Sequence, residues 1–283
     1  MNTRIKHLSG IHTAVLLFGL AGLFGKLIPA SPVTIVFGRT AFAAVVLWVV
    51  IRRYRISSKF QNRRDIFGFL LMGMLLAVHW LTFFQAIRVS TVAIGLLTYS
   101  SFPVFVTLLE PFSTKSHLRF KDLLSAIIVM VGLIVIIPEF DIRNNIVQGI
   151  LYGIISGFTF ALLTLLNKQY TAIYSSIRIV FNQDVVACIL LLPFFIYQSD
   201  QLTIVTVGYL AVLGIFCTAL AHTLFIFSMK KIRAHTAGII AALEPVYGIL
   251  LAMLVLNEMP QWRTVLGGLI ILGTVFYVTL RSE

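Results

Sequence analysis

Apolar runs long enough to cross a bilayer follow one another along this chain, and short segments between them hold most of its charge. A spanning helix needs about 20 mainly apolar residues. The runs fall at 9–28, 32–51, 66–86, 90–112, 122–137, 147–167, 177–197, 203–228, 236–256 and 264–280. Lipid offers no hydrogen bonds to an open backbone, so each run is expected to be helical. The fifth and tenth are short, and either tilt little or sit in thinned lipid. Composition excludes the soluble alternative. Of the residues, 59% are hydrophobic and 11% charged, where a soluble domain carries about 25% charged. The expected fold is therefore an all-α integral membrane protein of ten transmembrane helices.

Loop charge orients such a chain. With the N-terminus inside, inner segments hold Arg4, Lys6, Arg52, Arg53, Arg55, Lys59, Arg63, Arg64, Lys115, Arg119, Lys121, Lys168, Arg178, Lys230, Lys231, Arg233 and Arg281. The outer loops hold only Arg88, Arg143 and Arg263 of the 22 basic residues, and also carry Glu139, Asp141, Asp200 and Glu258. Both ends are therefore expected on the cytoplasmic side of a bacterial inner membrane. The basic N-terminal stretch precedes a long apolar run that carries Lys26 and lacks a convincing cleavage site, so it reads as an uncleaved first span. The net charge of +12 is spread over these clusters; with no separate basic domain, nucleic acid is not an expected partner. Cys188 and Cys217 lie in apolar runs without CxxC or Cys/His spacing, so neither a disulfide framework nor a metal site is expected.

An internal repeat accompanies the spans. Shifting the chain by 142 residues lays "AIRVSTVAIGLLTYSSFPVF" (86–105) on "SMKKIRAHTAGIIAALEPVY" (228–247), with Pro103 on Pro245. The same offset places Phe18 on Phe160, Lys26 on Lys168, Trp80 on His222 and His79 on Ala221. Further on, "LLSAIIVMVGLIVI" (123–136) resembles "VLGGLIILGTVFYV" (265–278). Five spans per half is an odd number, so halves 1–142 and 143–283 are expected to insert with opposite topology. Inverted repeats of this kind mark transporters whose site lies where the repeats meet.

The chain resembles the EamA-type drug/metabolite transporters. The resemblance rests on the two five-helix halves, the closing pattern of Pro245, Glu258, Gly267, Gly268 and Gly273, and three early stretches: "FGLAGLFGK", "SPVTIVFGRTAFA" and "LTYSSFPVF". It implies a carrier of small metabolites, often an exporter of amino acids or related compounds, with a central cavity between its halves. Phe18 stands where that family commonly has tryptophan, and Ser116 stands where the first half would repeat Glu258.

Ionisable residues within spans are costly, so each is a functional candidate by default. In "AALEPVYG" (241–248), Glu244 lies about eight residues, or roughly 12 Å, from the inner end of its run. Pro245 cannot bond the carbonyl of Ala241 and bends the helix. A carboxylate beside a freed carbonyl suits an ammonium group or a coupling proton; the alternative is a neutral acid bonded to a neighbouring helix. Tyr247 lies three residues on, roughly on the same face. Pro103 likewise frees the carbonyl of Tyr99, beside Thr98, Ser100 and Ser101, a cluster suited to solute contact or to interhelical bonding. Trp80 either stacks on a cationic or aromatic solute or anchors at the interface. His222 either titrates near neutral pH or packs as a hydrogen-bonded side chain. Arg39 either binds a solute carboxylate, pairs internally or snorkels outward. "FNQD" (181–184) sends its polar side chains in different directions, so at most part of it lines a cavity, and Asp184 there balances a basic group at the inner surface. Glu110 is expected in the headgroup layer. Gly149, Gly153 and Gly157, followed by Ala161, form a small-residue stripe for close helix packing.

Among function classes, a secondary carrier fits best. The chain has no G-x-x-x-x-G-K-[ST] loop to hydrolyse ATP and no H-E-x-x-H helix, and no clustered nucleophile and base stands out for an intramembrane enzyme. A structural or receptor-like membrane protein has no need of an inverted repeat. No cofactor is expected. The partners expected are a small-molecule solute and the lipid bilayer, with a coupling proton and a second copy of the chain left open. Trp80 and Glu244 favour a cationic or zwitterionic solute, while Arg39 leaves an anion open.

Overall fold

The computed structural model describes residues 3–57, 59–114, 120–137, 141, 143–198, 200–231, 240–241 and 243–281. Ser116, the loop charges Lys115, Arg119, Glu139 and Arg233, and residues 236–239 that open the ninth expected span lie outside them. The described residues are helical throughout their regular structure: α1 (Thr3–Leu27), α2 (Pro32–Arg53), α3 (Arg63–Val89), α4 (Val92–Tyr99), α5 (Phe102–Thr114), α6 (Phe120–Ile136), α7 (Asn145–Tyr170), α8 (Ser176–Ile196), α9 (Ile204–Gly214), a π-helical turn (Ile215–Leu220), α10 (Ala221–Ser228), α11 (Glu244–Leu256) and α12 (Trp262–Arg281). Among the described residues, seven stretches are long and apolar enough to cross a membrane: Lys6–Leu27, Pro32–Arg53, Arg63–Val89, Val92–Pro111, Asn145–Tyr170, Ser176–Ile196 and Ile204–Ser228. Leu123–Ile136, Glu244–Leu256 and Trp262–Tyr277 are shorter apolar helices.

Local chemistry explains the helix starts. Ser31, Thr91, Ser175 and Thr203 each accept a backbone N–H from the first turn of the helix they precede, which satisfies a donor the helix itself leaves open. Pro32 follows Ser31 in the first turn of α2, where a missing N–H costs nothing. Large apolar side chains such as Val45, Ile189, Phe194 and Leu254 point outward and are exposed, as expected where the surrounding solvent is lipid.

Glycines set the closest crossings. A Cβ at Gly132 would lie 3.1 Å from the Gly267 carbonyl, so α6 and α12 meet backbone to backbone. A Cβ at Gly19 would lie 3.0 Å from the Glu244 carbonyl, the Gly248 nitrogen and the Tyr247 Cβ, so α1 lies directly on the first turns of α11. The stripe Gly149, Gly153 and Gly157 faces Ser90, Thr98 and the Tyr99 carbonyl in turn. Among the helix pairs in contact are α3 with α7, α2 with α8, α6 with α12, α1 with α10 and α11, and α7 with α4 and α5.

Polar bonds tie the loops into two separate sets, one at each end of the bundle. At one end, Asp200 accepts from the Ser31 N–H (2.8 Å) and the Thr34 hydroxyl (2.6 Å). Arg88 donates to the Ala30 carbonyl (2.7 Å), Lys26 to the Ser90 carbonyl (2.8 Å), and the Val92 N–H to Glu258 Oε1 (2.7 Å). Burial pushes the Asp200 carboxyl up, but hydrogen bonds from Ser31 and Thr34 and the charge of Arg88 outweigh it and hold it below the ordinary carboxylate value. At the other end, the Tyr174 hydroxyl donates to Asp65 (2.6 Å) and accepts from the Gln61 N–H (2.9 Å). Arg178 donates to the Ser57 carbonyl (2.5 Å), Lys168 to the Met229 carbonyl (2.7 Å), and Ser228 to the His7 carbonyl (2.8 Å). Burial, then the Asp65 carboxylate, raises the Tyr174 phenol above its ordinary value.

Candidate functional site

Two helix breaks and a π turn shape the interior. The fourth apolar run is interrupted where α4 ends at Tyr99 and α5 starts at Phe102. Pro103 therefore sits in the first turn of α5, and the bend expected from it is a two-residue turn at Ser100 and Ser101. Ser100 turns its hydroxyl back to the Leu96 carbonyl (2.8 Å) and Ser101 to Thr98 (2.7 Å). Pro245 also lies in a first helical turn, that of α11, beside Glu244, where the helix amino end favours a negative charge.

The π turn presents Cys217 and Thr218 to α2. One residue wider than an α-turn, it lets the Thr218 hydroxyl bond back five residues to Leu213 (2.9 Å). Gly214 admits α2 here, since a Cβ would lie 2.7 Å from the Arg39 carbonyl. Arg39 is 1% exposed. Its Nε donates to Thr218 Oγ1 at 2.9 Å and its Nη2 to the Cys217 carbonyl at 3.3 Å. Its guanidinium also lies 3.8 Å over the ring of Trp80, an attractive cation–π placement.

These elements surround a small cavity of about 20 Å³ lined by Phe18, Ala21, Arg39, His79, Trp80, Phe83, Tyr99, Phe160, His222 and Glu244. No lining residue is more than 6% exposed, so the cavity lies deep inside the protein. Trp80 and His222 meet edge to face at 5.0 Å between ring centres, and Phe18 lies 4.8 Å from His222. His79 is held through Nδ1, 2.8 Å from the Ser156 hydroxyl. The result is an aromatic chamber with an acid, Glu244, and a base, Arg39, on its wall. An ammonium group and a carboxylate both find a complement there.

Glu244, Trp80, His222, Tyr99 and Arg39 come together from distant parts of the sequence. Tyr247 and Ser100 do not join them: Tyr247 packs against Gly19, and Ser100 is satisfied within its own helix break. Phe18, Ala21, His79, Phe83 and Phe160 complete the lining. Of these, Phe18 and Phe160 were visible as a repeat pair and His79 as the neighbour of Trp80, whereas Ala21 and Phe83 carry no signal beyond helical periodicity. Asp184 departs most from expectation. It lies on the α8 face that packs against α2, 0% exposed, and not at the inner surface beside a solvated base.

The sequence profile of the EamA-like transporter family matches this chain over residues 7–137 and again over 147–280. The chain belongs to the EamA-like transporter family. It is similar to an uncharacterized transporter of Archaeoglobus fulgidus, 24% identical over 268 residues and covering 94% of each chain. An S-adenosylmethionine uptake transporter of Rickettsia conorii is 23% identical over 253 residues, covering 88% of this chain and 83% of its own. An uncharacterized inner membrane transporter of Salmonella typhimurium is 23% identical across 100% of this chain and 98% of its own. A solved crystal structure superposes with a TM-score of 0.70 at 18% identity, covering 99% of this chain and 98% of its own; that likeness shows the fold. This EamA transporter is thus a multi-pass membrane protein with a small-molecule solute.

Proposed function

We propose that this transporter carries small amino-acid-like solutes, zwitterionic or cationic, across the inner membrane by alternating access, with the Arg39–Glu244 chamber as the binding site. The carrying observation is that one acid and one base share a buried, aromatic-walled cavity, which at about 20 Å³ must widen to admit a solute, as alternating access requires. Glu244 receives the ammonium, Trp80 and Tyr99 cover the cationic or aromatic part, and Arg39 receives the carboxylate. In this reading ten helices form two inverted halves, 1–142 and 143–283, with both termini cytoplasmic. Two features support that. Repeat partners Phe18 and Phe160, and Trp80 and His222, line the same cavity. The loop bonds join only loops expected on one face: Asp200, Ser31, Arg88 and Glu258 outside, and Asp65, Tyr174, Arg178 and Lys168 inside. Glycine packing by Gly149, Gly153 and Gly157 and the first-turn prolines Pro103 and Pro245 hold the chamber walls.

The Rickettsia relatives bring a specific candidate. S-adenosylmethionine combines an ammonium, a carboxylate and a positively charged sulfonium, charges that Glu244, Arg39 and the aromatic walls complement. Export is the direction the family resemblance implies, and uptake is the direction for which those relatives are named. Proteoliposomes loaded with labelled amino acids or S-adenosylmethionine test both. Wild-type protein moves at least one of these solutes and Glu244→Gln loses most of that flux. Equal flux through wild type and E244Q refutes the site, and no flux of any panel member refutes the solute class.

A further inference from the structure

A second acid lies behind the cavity wall. Asp184, on α8, is 0% exposed, and neither of its carboxyl oxygens has a hydrogen-bond partner. The guanidinium of Arg39 is within electrostatic reach of it, yet that group is engaged by Thr218, Cys217 and the Trp80 ring. A carboxylate sealed from water without a donor is strongly disfavoured, whereas the neutral acid is far less costly to bury. Arg39 also feels the charge of Glu244 from the cavity side. One buried cation therefore stands between two acids, and neutrality of the set requires one of the acids to hold a proton. Glu244 has the amino end of α11 beside it; Asp184 has no such support.

We propose that Asp184 is a proton carrier that discharges when a cationic solute takes the face of Trp80 from Arg39. This rests on the chamber being the solute site. A cation entering beside Glu244 repels the guanidinium and covers the ring on which it lay. Arg39 then turns to Asp184, the carboxylate forms within an ion pair, and its proton passes to bulk water. One positive charge enters and one leaves, so the buried set keeps its net charge. A zwitterion adds no net charge and leaves the proton in place. The groups around Asp184 fit this use. From α2 it faces Arg39, and along its own helix lies Cys188, one turn on and beside Thr40. From α10 His222 and from α3 His79 share the cavity wall with Arg39, and from the π turn the Cys217 carbonyl accepts a bond from it.

The test uses the full chain in lipid nanodiscs with Trp48→Phe and Trp262→Phe, which leave Trp80 as the sole tryptophan. Phenethylamine and L-phenylalanine are the probes, since they share a ring and an ammonium and differ by one carboxylate. Solute-free protein should show the infrared carbonyl band of a buried carboxylic acid, lost in Asp184→Asn and shifted in Asp184→Glu. Phenethylamine should change Trp80 fluorescence, abolish the band and release one proton per molecule bound, whereas L-phenylalanine should release none. D184N should bind phenethylamine without releasing a proton. Should D184N fail to fold, D184E and the wild-type band decide. A band untouched by either Asp184 variant, or undiminished proton release from D184N, overturns the proposal. If neither probe binds, the solute reading and the solute-triggered step fail together, and the solute-free band alone still decides whether Asp184 is protonated.

Discussion

Gly19→Ala tests how tightly the packing of α1 fixes the acid of the chamber. The added Cβ would lie 3.0 Å from the Glu244 carbonyl, the Gly248 nitrogen and the Tyr247 Cβ, where ordinary contacts begin at 3.4 Å. Two of those atoms are backbone, so no rotamer change relieves them. The helices must part by roughly 0.4 Å to restore normal contact. Overpacking of this kind costs about 1–3 kcal/mol, offset by roughly 0.5–1 kcal/mol from replacing a helical glycine with alanine. The net loss is at most about 2.5 kcal/mol and centred near about 1 kcal/mol, a fall of a few degrees in denaturation temperature for a chain this size. Gly208→Ala is the control, because nothing lies within 4 Å of the Cβ it adds on exposed α9. It should gain about 0.5–1 kcal/mol from helix propensity alone. Thermal denaturation in detergent and solute flux in proteoliposomes read both. G19A should denature earlier and transport more slowly, while G208A should denature later and transport normally. Equal stability and equal flux for the two variants would refute the claim that the α1–α11 crossing positions Glu244.

The two ends of the bundle respond to different perturbations. Because Asp200 is held below the ordinary carboxylate value, its bonds to Ser31 and Thr34 stabilise the fold above about pH 4 and are lost as pH falls through its lowered value. Asp200→Asn should therefore lower the denaturation temperature at neutral pH, and that difference from wild type should shrink in acid; a difference independent of pH would contradict it. Tyr174→Phe removes a hydrogen bond to a charged acceptor, worth about 1.5–3 kcal/mol, while the Asn62 N–H still bonds Asp65 at 2.9 Å. Its denaturation temperature should fall most between the ordinary carboxylate range and about pH 10, the difference closing as pH rises through the raised Tyr174 phenol value, and an unchanged midpoint at neutral pH would remove this contact as a fastener of that end.

Much of the chamber was legible before the fold. Glu244 and Arg39 stand out because charge inside an apolar run is expensive, and the 142-residue offset paired Trp80 with His222 and Phe18 with Phe160. Asp184 was harder to read. Consecutive polar residues in "FNQD" point in different directions, and only the packing of α8 on α2 turns this one inward. The π turn left no trace in Ile215–Leu220, since the contact it makes, Thr218 with Arg39 of α2, lies far away in sequence. Pro103 marked a bend, but the two-residue turn after Tyr99, where Ser100 and Ser101 bond back to the preceding turn, was not legible from the proline alone. Helix lengths were equally hard to read: α3 extends to Arg63–Val89, beyond the apolar window 66–86, because charged ends add turns that hydropathy does not register.

Alternating access to the chamber is the central claim, and Ala21 on its wall gives the most direct measurement. A protein with Ala21→Cys as the sole cysteine, with Cys188 and Cys217 replaced by alanine, is reconstituted in sealed vesicles and treated with a membrane-impermeant maleimide from one side or the other. Modification is expected from both sides, slowed from both by a transported solute. Modification from one side only, or labelling that no transported solute slows, would contradict it.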